Sequence, residues 1–517
     1  MLYRSFGFKI HDYLQFVGSF VLAFGLPMNK VLMSLGTICL AANLLFKADF
    51  KNYWKRWKTN FVFWFVFLLL IMHLVGLLYT ENLEYAFGDL RSKLPLFVIP
   101  IALIAYPIKK NLFDYVLGAF LLSLVITSII NYSYMVDYSF EDYRTFSLFG
   151  SHIRYSLLIV MGIAISLYLG LKHKKIMVLF LLLIIWLGLY TINSQVLSGL
   201  ISIFFLITGI ALFFVSLLKN KTLQFSLFAF VGIFFIVVSM GVFRFITPKS
   251  DTLNFLELPT HSKGGEPYFN DTLTLWFENQ YHIRSLIADG ELEKAWNERS
   301  EIDFYEKMPN GYEIRSTLHR YMTSKNLPKD REGMGKMTDI DIKNVENGIY
   351  TILDTEPPIK RHLLKLRNEL YQYSVGGNPN GNSLLQRFEH WKAAKEIIKG
   401  NWIFGIGTGD VQDAFDKEYE RVNSRLTPEH RNRAHNQFLT FWISFGILGF
   451  VIFTGFWIIY LIQNIRWRNL IGIGFCFVAI ASFLSEDTIE TQQGVTFVAL
   501  FLGLTEILNM WQRQKGN

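Results

Sequence analysis

Apolar residues along this chain gather in long runs, and short clusters of Lys and Arg punctuate the runs. Phe61 to Tyr79, Ile176 to Thr191 and Val196 to Leu218 carry no Asp, Glu, Lys or Arg. Such runs approach or reach the ~20 residues that a helix needs to cross ~30 Å of hydrocarbon. Helices are the expected spanning elements, because backbone amides in lipid must be satisfied within their own segment. The pattern predicts spans near 10–27, 30–46, 61–79, 93–107, 112–135, 153–171, 175–191, 196–218, 223–243, 436–462, 470–485 and 493–510. The expected fold is an all-α membrane protein of about twelve transmembrane helices.

The stretch from Arg244 to Ala434 breaks the pattern with mixed charge, many turn formers and no membrane-length run. It predicts a large, mostly helical extramembrane loop domain at 244–434, between membrane regions at 1–243 and 435–517. Thr338-Asp339-Ile340-Asp341 has the form of a capping box, with Gly348 as the stop after Val345. Ser383-Leu384-Leu385-Gln386 has the form of a second, opening a helix to Lys399 that Gly400 closes, with Leu384, Phe388, Trp391 and Ile398 along a broad apolar face.

Composition sharpens the picture. Of 517 residues, 51% are hydrophobic and only 18% charged, too apolar for a soluble enzyme of this length. The net charge of +8 does not point to nucleic acid, because the basic residues sit in short connections: Lys51, Lys55, Arg56 and Lys58; Lys109 and Lys110; Lys172, Lys174 and Lys175; Lys219 and Lys221; Arg466 and Arg468. Alternate connections carry such clusters, so the positive-inside rule predicts cytoplasmic termini and a periplasmic loop domain. Arg4 and Lys9 precede an apolar stretch without a small-residue cleavage site, which reads as the first span rather than a removed signal. Cys39 and Cys476 both fall in predicted spans and form no metal or disulfide pattern.

The most informative stretch is Arg433-Ala434-His435-Asn436, a polar cluster at the entrance of an apolar helix that carries Gly446-Ile447-Leu448-Gly449. Upstream lie Gln386-Arg387-Phe388-Glu389-His390-Trp391, then Phe404-Gly405-Ile406-Gly407-Thr408-Gly409-Asp410. Together these elements resemble the O-antigen ligase and polymerase superfamily, whose arginine helix, glycine turn and histidine–asparagine signature follow in this order. The specific motifs lie within 383–450. The region from Arg315 to Gly333 resembles an insert of Bacteroidota members.

The resemblance implies a metal-independent, inverting glycosyltransferase of the bacterial inner membrane with its active site facing the periplasm. Its donor would be an undecaprenyl-diphosphate-linked glycan and its acceptor lipid A core. Repeat-unit polymerisation and transfer to a protein hydroxyl remain open alternatives. His435 is then the candidate base, suited by an imidazole that is largely free base at neutral pH. Arg387 is the candidate diphosphate ligand, because a guanidinium binds phosphate oxygens bidentately. Asn436 joins the candidates for substrate binding. Many members carry a Ser-Arg pair at the start of a mid-chain helix, where this chain has Ser194-Gln195. The second cation is therefore open among Arg154, Arg244 and Arg433, with His152 beside Arg154 and with Glu486 as a group to orient the histidine or bind sugar.

Competing readings stand beside these. The three glycines at 405, 407 and 409 suggest a phosphate loop, but no strand precedes them and a turn is the simpler reading. Asp339 and Asp341 have metal-binding spacing, which the capping box explains without a metal. His73 and Glu506 are functional candidates as ionisable residues within spans, or they serve packing. A transporter of lipid-linked sugars would show paired broken helices and internal symmetry, and neither is evident. A scaffold would use the loop only for docking.

Overall fold

The computed structural model describes residues 2–137, 147–194, 196–248, 257–271, 273–308 and 311–516. Each of the twelve predicted apolar segments is helical over most of its length. Eight helices among the described residues are long and apolar enough to cross a membrane, or nine if the bent pair Phe50–Trp57 and Phe61–Gly76 forms one span. That pair turns by 96°, and the Asn60 side chain, which accepts from the Phe63 amide, starts the second helix at the bend. The segment read as starting near 93 begins at Leu83, capped by Asn82. Its first turns carry Asp89 and Lys93, which are buried against each other at 2.6 Å. An internal ion pair there replaces the apolar signal that sequence patterning depends on.

The chain forms two compact units. The first comprises Met1–Phe235, Arg387–Ser424 and Pro428–Asn517, and the second Ile236–Gln386 with Arg425–Thr427. Thus Arg387–Ser424 and the stretch 428–434 belong to the same unit as the apolar helices. The reason is local. The glycine turn lodges its backbone in a break of the helix Gln437–Arg466, and Trp391 and Tyr419 bond to the strip of chain that leads into that helix. The first unit has a large apolar and aromatic core, with Trp457, Phe453, Phe475 and Phe483 shut off from solvent.

The second unit has a core of its own around Trp296, Phe304, Leu318, Tyr321 and Met322. It is built from short helices, with one antiparallel hairpin among its described residues, Phe277–Glu278 with Tyr281–His282. The Thr338 capping box is present: its side chain bonds to Asp341, whose carboxylate returns to the Thr338 amide at 2.7 Å. Asp341 also holds Lys325 and Tyr321, and the exposed Asp339 pairs with Arg299. These contacts use the pair structurally. The second expected box is not formed at Ser383. Asn382 caps the helix Ser383–Asn401 by accepting from Leu384 and Leu385, and Gln386 turns away to the Asn380 carbonyl. The helix thus starts one residue earlier than the box implies, and an asparagine is a favoured N-cap.

Candidate active site

The helix Ser383–Asn401 carries Arg387, whose Nε donates to the Ser485 carbonyl at 3.0 Å and whose Nη2 donates to Glu486 Oε1 at 2.6 Å. The other Glu486 oxygen lies 3.5 Å from His435 Nδ1. Glu486 is buried and His435 remains 32% exposed, so the carboxylate is inside and the imidazole edge is reachable. Burial pushes the Glu486 pKa up, but His435, Arg387 and Arg154 together outweigh it and hold the group ionised below its ordinary range.

The turn carrying His435 is fixed on every side. His435 has φ 45°, in the left-handed region, which a side chain adopts only when its surroundings dictate it. Asp487 dictates it here, accepting from the His435 amide at 3.0 Å, the Asn436 amide at 3.1 Å and the Thr440 hydroxyl at 2.6 Å. Trp391 donates to the Ala434 carbonyl, Tyr419 to Asn432 and His390 to His430. The His390 ring centroid is 5.3 Å from that of His435. Burial first, then the charges of His435 and Arg387, lower the His390 pKa to about 4, so this second imidazole is neutral at physiological pH. Asn436 spends its side chain as the cap of the helix Gln437–Arg466, accepting from Phe438 and Leu439 and donating to Leu484.

The candidate cations divide clearly. Arg154 has a buried Nε with no hydrogen-bond partner among the described residues and acts on Glu486 from nearby. His152 opens the same helix two positions earlier and is half-buried. Arg433 is committed elsewhere: its Nη1 lies 3.3 Å from Glu490 Oε2, which also takes Lys93 Nζ at 2.9 Å. Burial alone would weaken the Arg433 charge, yet Glu490 and Asp487 raise its pKa well above the ordinary value. Arg244 lies in the other compact unit, exposed near the end of the helix Lys221–Ile246. Gln195 is outside the described residues.

The glycine turn holds protein rather than phosphate. At Gly446, with φ 64°, the helix Gln437–Arg466 opens. The freed carbonyls of Ile443 and Ser444 accept from the amides of Ile406 and Gly407, and Ile447 donates to Trp402. A Cβ on Gly405 would lie 2.4 Å from the Ser444 oxygen, and one on Gly446 1.9 Å from the Ile403 oxygen, so only glycine allows the approach. Asp410 then accepts from Thr80, Glu81 and Asn82. His73 is packed among Phe97, Phe441 and Phe445 with Nδ1 on the Leu69 carbonyl. Glu506 is matched by Asn60 and Arg513. Both have structural partners.

Sequence patterning missed Asp89, Lys93 and His390 as parts of this centre. The acidic run Ser485-Glu486-Asp487 was visible, but nothing in it showed which carboxylate meets which cation. Asp89 and Lys93, four apart on one helix face, were the available signal for the buried pair. Among the described residues, no group of three or more His, Cys, Asp or Glu side chains is arranged to hold a metal ion.

The motif order, the arginine–carboxylate–histidine cluster and the glycine-locked helix break coincide with a match of residues 344–454 to the family described as O-antigen ligase. Over these residues the chain is similar to the O-antigen ligase superfamily. The ligase match therefore begins at Asn344 and ends at Thr454, beyond the helix break, and it contains Arg387, the glycine turn and His435 but neither Arg154 nor Glu486. The chain is also 29% identical over 150 residues to an uncharacterized protein of Haemophilus influenzae, an alignment covering 28% of this chain and 37% of that protein's length.

Proposed function

We propose that this chain is a periplasm-facing, inverting glycosyltransferase that moves a glycan from a polyprenyl diphosphate carrier in the inner membrane to a hydroxyl acceptor, lipid A core foremost. The observation that carries the reading is the meeting of Arg387 and His435 on the two oxygens of one buried carboxylate, Glu486. Glu486 faces Nδ1 of the imidazole, which favours the tautomer with its proton there and leaves Nε2 as the base. The present 3.5 Å separation is loose, as catalytic contacts often are before substrate tightens them.

In the proposed step, the acceptor oxygen attacks the anomeric carbon of the donor from the face opposite the diphosphate. Its proton passes to His435 Nε2, the new C–O bond forms, and the bond from the anomeric carbon to the phosphate oxygen breaks. In this scheme Arg387 and Arg154 neutralise the diphosphate that departs. Arg154 is favoured as the second cation because its Nε has no described partner, whereas Arg433 is already held by Glu490. No metal takes part in this scheme.

The test is reconstitution of purified protein with a lipid-linked glycan and, in parallel, lipid A core, repeat-unit or peptide acceptors, with and without chelator. Product identity assigns the acceptor and separates ligation from polymerisation and protein glycosylation. His435→Ala should fold, insert and lose transfer. Retained transfer in that variant would refute the assigned base, and loss with chelator would refute the metal-free step.

A further inference from the structure

The second compact unit contains a cavity of about 1100 Å³ lined by none of the residues assigned to transfer. Small-molecule sites usually measure ~300–1,000 Å³, so the space suits a chain of several rings. Three aromatic side chains on its wall are held out to solvent: Phe269 at 57%, Trp276 at 60% and Tyr312 at 56% exposure. A single exposed aromatic is ordinary, but three converging on one concavity form a stacking surface. Trp276 is also braced, with the Arg284 guanidinium 5.4 Å from its ring centroid and Arg284 bonded to Asp271 at 2.9 Å.

The polar part of the wall is electrically balanced. Arg315 Nε lies 2.9 Å from Asp289, and His319 Nε2 lies 2.7 Å from the other oxygen of the same carboxylate. Arg320 pairs with Glu278 at 2.8 Å and stacks 3.6 Å from the Tyr350 ring centroid. Lys365 pairs with Asp354. The lining cations Arg284, Arg315, Arg320 and Lys365 are thus each matched by a carboxylate. A polyanion such as a diphosphate lipid or a nucleic acid would gain little here. Uncharged hydroxyls, which donate to carboxylates and accept from guanidinium groups, fit the balanced wall, and the flat C–H faces of pyranose rings fit the aromatic one.

We propose that this cavity is a binding site for a neutral oligosaccharide, with sugar rings stacked on Trp276, Phe269 and Tyr312 and hydroxyls bonded to Asp289 and Arg320. The site binds without reacting, so it stands whether or not His435 is the base of a transferase.

The test uses the full chain in nanodiscs and a panel of neutral gluco-, galacto- and manno-oligosaccharides of about three to six residues, a length matched to the cavity, with binding read by calorimetry. At least one should bind, with a Kd raised ~10-fold by Trp276→Ala and less than ~3-fold by Trp276→Phe, which keeps a stacking face. His435→Ala should leave this binding unchanged, which separates failure of the site from failure of the transfer chemistry. No binding by any member of the panel would overturn the proposal. So would equal affinity in wild type, Trp276→Ala and Asp289→Asn, or tighter binding of an oligogalacturonate than of every neutral probe.

Discussion

Replacing Glu490 by Gln should destabilise the first unit strongly while preserving its shape. Four side chains share this buried cluster: Asp89 and Lys93 at 2.6 Å, Lys93 and Glu490 at 2.9 Å, and Glu490 and Arg433 at 3.3 Å. Two carboxylates offset two cations, and Asp89, Lys93 and Glu490 are no more than 6% exposed. Burial pushes the Glu490 pKa up, but Lys93 and Arg433 outweigh it and hold the carboxyl well below its usual range. The introduced amide would keep a contact with Gln437, now 3.1 Å from the Glu490 carboxylate, yet leave one positive charge unmatched. Removing one partner of a buried ion pair costs ~3–5 kcal/mol, a factor of ~10² to ~10⁴ in the folded ratio. Removing Arg433 as well restores neutrality and leaves the Asp89–Lys93 pair intact. The double variant Arg433→Gln with Glu490→Gln should therefore recover ~2 kcal/mol or more of the loss. Unfolding in detergent, followed by intrinsic fluorescence at one fixed heating rate, measures all four members of the cycle. If Glu490→Gln melts with wild type, or if the double variant is no more stable than the single one, the charge-balance reasoning fails.

Three further outcomes are expected. Glu486→Gln should lower the initial rate of glycan transfer ~10²-fold or more by releasing both His435 and Arg387, and an unchanged rate would remove the carboxylate from the site. His390 is kept neutral in the folded chain, with its pKa lowered from 6.5 to about 4. Its contribution is therefore full above pH 6.5 and falls as the pH drops toward about 4, by ~3 kcal/mol across the window. His390→Gln should flatten that part of the stability–pH curve, and a curve of unchanged slope would contradict the assignment. Gly446→Ala places a Cβ 1.9 Å from the Ile403 oxygen at a φ of 64° and should cost at least ~2 kcal/mol, seen as a lower melting temperature.

Much of this molecule was legible before its geometry was known. Spans are long, local and apolar, so 153–171 and 223–243 differ from the observed helices only at their ends. Arg387 and His435 were singled out through motifs of a few residues each, and the fold brings both to Glu486. Glu490 and Lys93 were not, because their pairing joins positions about 400 residues apart and each looks alone like an ordinary polar residue at the edge of a span. The compact units divide the chain differently from the boundary drawn at 434, grouping Arg387–Ser424 with the apolar helices, because hydropathy reports whether a segment belongs in lipid, not which folded body its polar helices pack against. The second box was displaced at shorter range, where Asn382 caps the helix that the box would have opened at Ser383.

The opened helix at Gly446 also bears on how the chain can be dissected. In hydrocarbon, carbonyls without donors are heavily penalised, and those of Ile443 and Ser444 find theirs only in residues synthesised about 37 positions earlier. Grafted alone into another membrane protein, the segment Gln437–Arg466 would be driven to close its own ladder and straighten. The bend is thus a property of two stretches of chain held together, and hybrids with related proteins should exchange Trp402–Gly407 and Gln437–Arg466 as one cassette.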